Sequence, residues 1–269
     1  METRSISPKH PAAPLVPVIG MGTSKTLDTD DLRLARDVVT TALDAGTTLF
    51  DSSPMYGKAE RTLGAALGER RAGAIVATKV WTEDDAVAER QIADSLSFYG
   101  DRIELLQVHN MVRWPERLRR IEELRDAGQV AFVGATHWKP SSFDELEAAM
   151  VTGRLDAIQI PYNPRERDVE RRLLPLAAEL GLGVLIMRPF AADDLMRSAP
   201  SADDLAPLAA FGIHTWGQAL LRWGLSHPAT TVSIPATSKP SRAAENAAAG
   251  DARPLDDEHR QLISRLAGA

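Results

Sequence analysis

TTLFDSSPMYGKAERTLGAALGERR (47–71) holds in one stretch an apolar β-rich run, a polar turn and an amphipathic helix, and its reading decides the fold. TTLFD is apolar until Asp51 closes it, Tyr56 follows in the loop, and AERTLGAALGERR (59–71) has helical periodicity. The same unit recurs on both sides. VPVIGMG (16–22) precedes DLRLARDVVTTALDAG (31–46), GAIVATKV (73–80) precedes AVAERQIADSLSFYG (86–100), and IELLQVHN (103–110) precedes PERLRRIEELRDAG (115–128). VAFVGAT (130–136) precedes SSFDELEAAMVTG (141–153), and LDAIQIPYN (155–163) precedes DVERRLLPLAAELG (168–181). LGVLIMRP (182–189) reaches TWGQALLRWGLSHP (215–228) through an irregular insertion, TTVSIPA (230–236) precedes SRAAENAAAG (241–250), and DDEHRQLISRLAGA is a last helix. Strands apolar on both faces belong to a parallel sheet buried inside helices. Gly46, Gly128, Gly153 and Gly181 each close a helical run, as a left-handed cap requires.

Eight strands, each followed by a helix, predict an α/β fold of the (β/α)8 TIM-barrel type in a single domain, residues 16–269, behind an N-terminal extension of residues 1–15. No GxGxxG follows the first strand, which argues against a Rossmann dinucleotide site. The 269 residues are 44% hydrophobic and 25% charged, suited to a globular enzyme and too apolar for disorder. There is no cysteine, which fits a reducing compartment, and the net charge of -6 argues against nucleic acid as a partner. Neither a signal-peptide run nor a stretch of membrane-spanning length is present, so the expectation is a cytoplasmic protein with no membrane contact, monomeric or weakly oligomeric. The six histidines are scattered without metal-ligand spacing, and no metal is expected.

In a parallel barrel the carboxyl ends of the strands share one face, where active sites form. Asp51, Lys79 and His109 end the second, third and fourth strands, and Tyr56 lies in the loop after Asp51. Singly each has an ordinary reading: a helix cap, a solvated lysine, a satisfied histidine. Together they make an acid–base set. A tyrosine hydroxyl has an ordinary pKa of about 10, and a neighbouring ammonium lowers it toward useful proton transfer. A carboxylate keeps a buried lysine charged. His109 would orient a carbonyl oxygen beside Tyr56, which would protonate the oxyanion as hydride arrives at carbon.

At these residues the chain resembles the aldo-keto reductase superfamily, from about Val16 to Asn246. LFDSSPMYGKAE (49–60) is similar to the family's Asp-x4-Tyr-Gly stretch, TKVW (78–81) and LLQVHN (105–110) to its lysine and histidine strands, QIPYN (159–163) to its Gln-x-x-Tyr-Asn motif, and IPATSKPSRAAEN (234–246) to its cofactor loop and helix. The resemblance implies an NADPH-dependent reductase of aldehydes or ketones without metal, the cofactor lying extended across the barrel mouth. Tyr56 would then be the proton donor, Lys79 and Asp51 its tuning pair, His109 the carbonyl positioner, and Gln159 the nicotinamide contact. Gly22, Thr23 and Ser24 would border the cofactor after the first strand. Ile234, Pro235, Ala236, Thr237 and Ser238 would form its loop, with Lys239 and Arg242 at the 2′-phosphate and Glu245 and Asn246 at the adenine.

Several positions depart from the family pattern. Ala236 stands where many members have a lysine, so NADPH is expected to be preferred with NADH also possible. Thr136 and His137 replace a Ser-Asn pair and are expected to hold the carboxamide. Near the seventh strand a stacking tyrosine is missing, leaving Met187 or Arg188, then Pro189 and an aromatic only at Phe190. Arg188 would reach the pyrophosphate or pair with an acidic loop residue such as Asp193. Trp81, Met55, Met111 and Trp114 are candidates for substrate contact, and Ser24, in place of a tryptophan, would widen the pocket. With a short loop after His109 and little chain beyond the last helix, an open, permissive site is expected for a small-molecule carbonyl substrate. Two other classes compete: an NADPH-binding redox-sensing module with little turnover, and a barrel hydrolase or lyase, for which no nucleophile–base set is evident.

Overall fold

Alternation along the strands divides the apolar residues into two layers. Leu49, Ala77, Leu105, Ala157, Leu185, Val232 and Ile234 form one small buried cluster, and their strand neighbours Phe50, Val76, Leu106, Ile158 and Ile186 belong to the large one. Successive side chains on a strand face opposite ways. The small cluster is the inside of a barrel and the large one the layer between barrel and helices.

In the computed structural model, which describes residues 1–269, the N-terminal strands β1 (Thr3–Ser5) and β2 (Leu15–Pro17) pair antiparallel. The barrel strands are β3 (Met21–Gly22), β4 (Leu49–Asp51), β5 (Ile75–Val80), β6 (Ile103–His109), β7 (Val130–Thr136), β8 (Ala157–Pro161), β9 (Gly183–Met187) and β10 (Val232–Ser233). They are parallel and neighbour one another in sequence order. The ring closes between β10 and β3 through the bridges Ile19–Ser233 and Gly22–Ala236. Gly22 is needed at that seam, because a Cβ there would lie 2.8 Å from the Ile234 carbonyl oxygen. Between strands run α1 (Leu32–Asp44), α2 (Ala59–Leu67), α3 (Asp85–Tyr99), α4 (Trp114–Asp126), α5 (Phe143–Met150) and α6 (Leu173–Leu180). The expected insertion after β9 holds α7 (Asp194–Arg197) and α8 (Ala202–Leu205), followed by α9 (Trp216–Leu225), α10 (Pro240–Ala248) and α11 (Asp257–Leu266). The fold is a (β/α)8 barrel, and no helix is long and apolar enough to cross a membrane.

The run VPVIGMG does not form one strand. Its first residues join the hairpin, and only Met21–Gly22 enters the barrel sheet. Pro17 has no N–H to continue a ladder, which favours the break there. The hairpin lies at the barrel end where strands begin. Ile6 is fully buried in the inner cluster. His10 Nε2 and Lys9 Nζ reach Asp156 at 2.8 and 3.1 Å, just before β8. Glu2 accepts from the buried Arg222 of α9 at 3.0 Å. Gly183, the first residue of β9, admits the hairpin because it has no Cβ: one added there would fall 1.9 Å from the Ile6 carbonyl oxygen. Gly183→Ala is therefore expected to push the hairpin out and cost about 3 kcal/mol, the upper range for overpacking. Urea unfolding checks this; an unchanged midpoint would refute the plug.

Candidate active site

The alternation that buries Leu49, Ala77, Leu105, Ala157 and Leu185 inside the barrel also points residues two further on inward, at the carboxyl ends: Asp51, Lys79, Gln107, Gln159 and Met187. His109, two beyond Gln107, faces the same way. Tyr56 comes from the 3₁₀ turn Pro54–Tyr56, which Ser53 caps by accepting from the Met55 N–H at 3.2 Å.

The centre of the cluster is an ion pair. Lys79 Nζ donates to Asp51 Oδ2 and to the Ser52 carbonyl, both at 2.7 Å. The other Asp51 oxygen accepts from Gln159 Nε2 at 2.7 Å and from Gln107 Nε2 at 3.3 Å. Three donors thus make four hydrogen bonds to one buried carboxylate and its neighbouring carbonyl. Burial is the largest influence on Lys79 and opposes its charge, but Asp51, Tyr56 and Glu60 outweigh it and raise its pKa above the ordinary value.

Tyr56 and His109 face the same space, their rings perpendicular with centroids 6.0 Å apart. Lys79 Nζ lies 5.3 Å from the Tyr56 ring centroid. The sequence led to an expectation of a lowered tyrosine pKa, and this is corrected: the Tyr56 pKa is raised, because burial outweighs the pull of Lys79. His109 is pushed down to about 3 by burial, then by Lys79 and His137, and is neutral at physiological pH.

Behind the Lys79 strand sits a second buried carboxylate. Glu60, in the first turn of α2, accepts from Thr78 Oγ1 at 2.6 Å and Ser95 Oγ at 2.8 Å. Burial raises its pKa to about 7 despite these donors. Through Thr78 it ties the helix that follows Tyr56 to the strand that carries Lys79.

Asp51, Tyr56 and His109 open onto a cleft of about 490 Å³ at the carboxyl end of the barrel, bordered by Gly22, Thr23, Ser24, Met55, Gln159, Ile234 and Ala236. Met187 at the end of β9 and Arg188, Pro189 and Phe190 in the loop that follows complete the rim. Arg188 pairs with an acidic loop residue, as one of the two readings expected, but the partner is Glu166 at 2.9 Å and not Asp193; its guanidinium lies 5.6 Å from the Trp138 ring centroid. Trp138 and Lys25, which were not among the sequence candidates, also border the cleft, as does Asp193. A half-exposed tryptophan two residues beyond the end of a barrel strand was the available signal for the first of these.

Other candidates lie outside the cleft. Met111 is buried in the hydrophobic core and Trp114 packs partly buried against it, because Asn110 and Met111 both take left-handed backbone angles directly after His109. Trp81 is exposed but does not line the cleft; Gln91 pins its backbone N–H and carbonyl at 2.9 and 3.0 Å. Thr136 does not line the cleft; its hydroxyl is buried without a partner. His137 is buried, with Nδ1 accepting from the Lys139 N–H at 3.0 Å. In the loop before α10, Pro235 and Thr237 line a separate small crevice with the buried Asn246. Ser238 lies between these and the N-terminus of α10, where Lys239 is exposed and Arg242 Nη1 reaches Glu245 at 2.6 Å.

With this geometry, known proteins give the class. The pattern of the Aldo/keto reductase family matches residues 18–267, and the chain belongs to that family. The aldo-keto reductase YhdN of Bacillus subtilis is 31% identical over 178 residues, 58% of this chain and 52% of its own, so this chain spans about half the length of that relative. An uncharacterized oxidoreductase of Mycobacterium tuberculosis is 29% identical over 267 residues, 87% of this chain and 82% of its own. Among solved structures, an aldo-keto reductase from Klebsiella pneumoniae in complex with NADPH superposes with a TM-score of 0.83 at 24% identity, covering 99% of this chain and 95% of that one. The holo form of an aldo-keto reductase from Bacillus halodurans gives 0.81 at 24% identity, covering 99% and 96%.

Proposed function

We propose that the protein reduces an aldehyde or ketone to an alcohol, with NADPH as hydride source and Tyr56 as proton donor. The observation that carries this reading is the convergence on one cleft of Tyr56 and His109, both uncharged, in front of a buried Lys79–Asp51 pair. A carbonyl oxygen accepting from Tyr56 Oη and the His109 ring would be held by two donors, and negative charge developing on it would be stabilised by Lys79 behind them. As the C–O π bond opens, the Tyr56 O–H proton passes to that oxygen, and the tyrosine recovers a proton from water. Lys79 stabilises the phenolate in the interval, and Asp51 holds the lysine charged. The raised Tyr56 pKa keeps the hydroxyl protonated before each turnover.

The nicotinamide, when bound, supplies the hydride; the chain's part is to hold and orient it. The residues present fit that group. Thr136 Oγ1 is a buried hydroxyl without a partner beside Gln159, its register neighbour on β8. Gly22, Thr23, Met187 and Ile234 offer backbone and apolar surface along the same cleft. At the N-terminus of α10 the Ser241 N–H has no partner within the protein, and with Lys239 and Arg242 it is suited to a 2′-phosphate. Arg242 would exchange Glu245 for the phosphate, which favours NADPH over NADH without excluding the latter. The reading is tested by following NADPH oxidation against a panel of aldehydes and ketones. Arg242→Ala is expected to raise the KM for NADPH about 10-fold, the loss of a charge-assisted hydrogen bond, and to leave that for NADH unchanged. Equal effects on both cofactors would move the phosphate site elsewhere.

A further inference from the structure

Ser53 touches both donor residues and has no part in the chemistry above. We propose that Ser53 is a positioning residue whose hydroxyl donates to His109 Nδ1, fixing the neutral imidazole as the Nε2–H tautomer that faces the cleft. Its consequence for turnover rests on the carbonyl-reductase reading; the tautomer itself does not.

Ser53 Oγ lies 2.9 Å from His109 Nδ1, and both residues are buried. A hydroxyl has one proton to give and two lone pairs to receive with. The other partner of Ser53 Oγ is the Met55 N–H at 3.2 Å, which can only donate. The hydroxyl proton therefore has one acceptor, the Nδ1 lone pair. If Nδ1 carried hydrogen instead, Ser53 would accept from two N–H groups and its own proton would be buried with nothing to bond, an arrangement folded proteins avoid. An imidazolium meets the same objection and adds a charge beside Lys79. Nδ1 is thus the acceptor, and the single ring proton sits on Nε2.

His109 Nε2 makes no hydrogen bond within the protein, and the ring borders the cleft. The same serine sets the second donor. By capping the turn Pro54–Tyr56 through the Met55 N–H, and by accepting the Tyr56 N–H on its carbonyl at 2.9 Å, Ser53 anchors the segment that carries the tyrosine. One residue thereby fixes the protonation pattern of His109 and the placement of Tyr56, so that both present an N–H or O–H to one oxygen. The extended backbone of Ser53 (φ −166°) imposes no demand for a particular side chain. The hydroxyl is what the position uses.

Long-range ¹H–¹⁵N correlation on the uniformly labelled full chain, with His109 assigned by its loss in His109→Gln, reads the tautomer directly. The expected result is an Nε2–H pattern unchanged between about pH 5 and 8, as a neutral ring requires. An Nδ1–H or imidazolium pattern in that range overturns the assignment. Ser53→Ala should turn the pattern into a mixture of tautomers and lower kcat about 10-fold while leaving NADPH affinity by fluorescence titration unchanged, the effect of a donor present only part of the time. Ser53→Thr, which keeps the hydroxyl, should restore both pattern and rate. Retention of the Nε2–H pattern in Ser53→Ala would show that the serine does not set it. If no carbonyl is turned over yet the pattern is present in the wild type and lost in Ser53→Ala, the reductase reading fails and the role of Ser53 stands.

Discussion

Tyr56→Phe is expected to lower kcat for carbonyl reduction by about 10²–10⁴-fold, the range for removing a positioned general acid, with the dissociation constant for NADPH unchanged. The substitution deletes one oxygen and leaves the rest in place. The ring keeps its perpendicular contact with His109 and its position 5.3 Å from Lys79 Nζ. Lys79 keeps Asp51 and the Ser52 carbonyl, so no buried charge is stranded. The pH dependence follows from the same groups. Burial raises the Tyr56 pKa above 10.0, so the donor is protonated throughout the neutral range and the reductive rate is lost only as pH climbs through that raised value. His109, pushed down to about 3, contributes no step near neutrality. Steady-state rates with saturating NADPH, with a fluorescence titration of cofactor binding, check both parts. A phenylalanine variant that turns over at the full rate would remove Tyr56 from the mechanism.

The parts of the site legible in the sequence are those governed by strand periodicity. Asp51, Lys79 and His109 are readable because a parallel strand that runs out on a polar residue delivers it to one known end of the barrel. Gln159 was readable as a site residue, but its bond to Asp51 was not: it depends on the distance across the barrel between β4 and β8, which no local pattern encodes. Met111 and Trp114 have the composition of a pocket wall and lie in or against the core, because the chain reverses at Asn110 and Met111 through left-handed angles that carry no glycine signal. The lowered Tyr56 pKa was reasoned from charge alone, and the opposing desolvation becomes known only once burial is known. The hairpin is not legible in VPVIGMG, which is continuous in hydrophobicity although its two ends serve different sheets. Ser53 and Glu60 look like loop and helix-start residues, and only their partners on β6 and β5 reveal otherwise.

Asp51→Asn is expected to destabilise the fold by about 3–5 kcal/mol, the cost of leaving one member of a buried ion pair without its partner. The Lys79 side chain is 0% exposed and cannot turn to water. An asparagine oxygen could still accept from Lys79, but its amide would then meet Gln159 Nε2, donor against donor, where the carboxylate now accepts at 2.7 Å. Lys79 would lose the charge that holds its pKa above 10.5, and burial, the largest influence on it, would drive deprotonation. The reverse change, Lys79→Met, strands Asp51 less completely, because Gln159 and Gln107 still donate to it. It should cost less than Asp51→Asn, although it removes the positive charge behind Tyr56 and so also lowers turnover. The double variant should be more stable than the sum of the two single changes, since it leaves no unpaired ion. For the wild type the sign with pH is set by the raised lysine pKa: the contribution of the pair is complete at neutral pH and lost as pH rises through the folded-state value above 10.5. Urea unfolding of the three variants at pH 7 measures the cycle. Additive losses, or an Asp51→Asn variant within about 1 kcal/mol of the wild type, would mean that the site does not depend on this pair for its charge, because an exposed pair is worth no more than that.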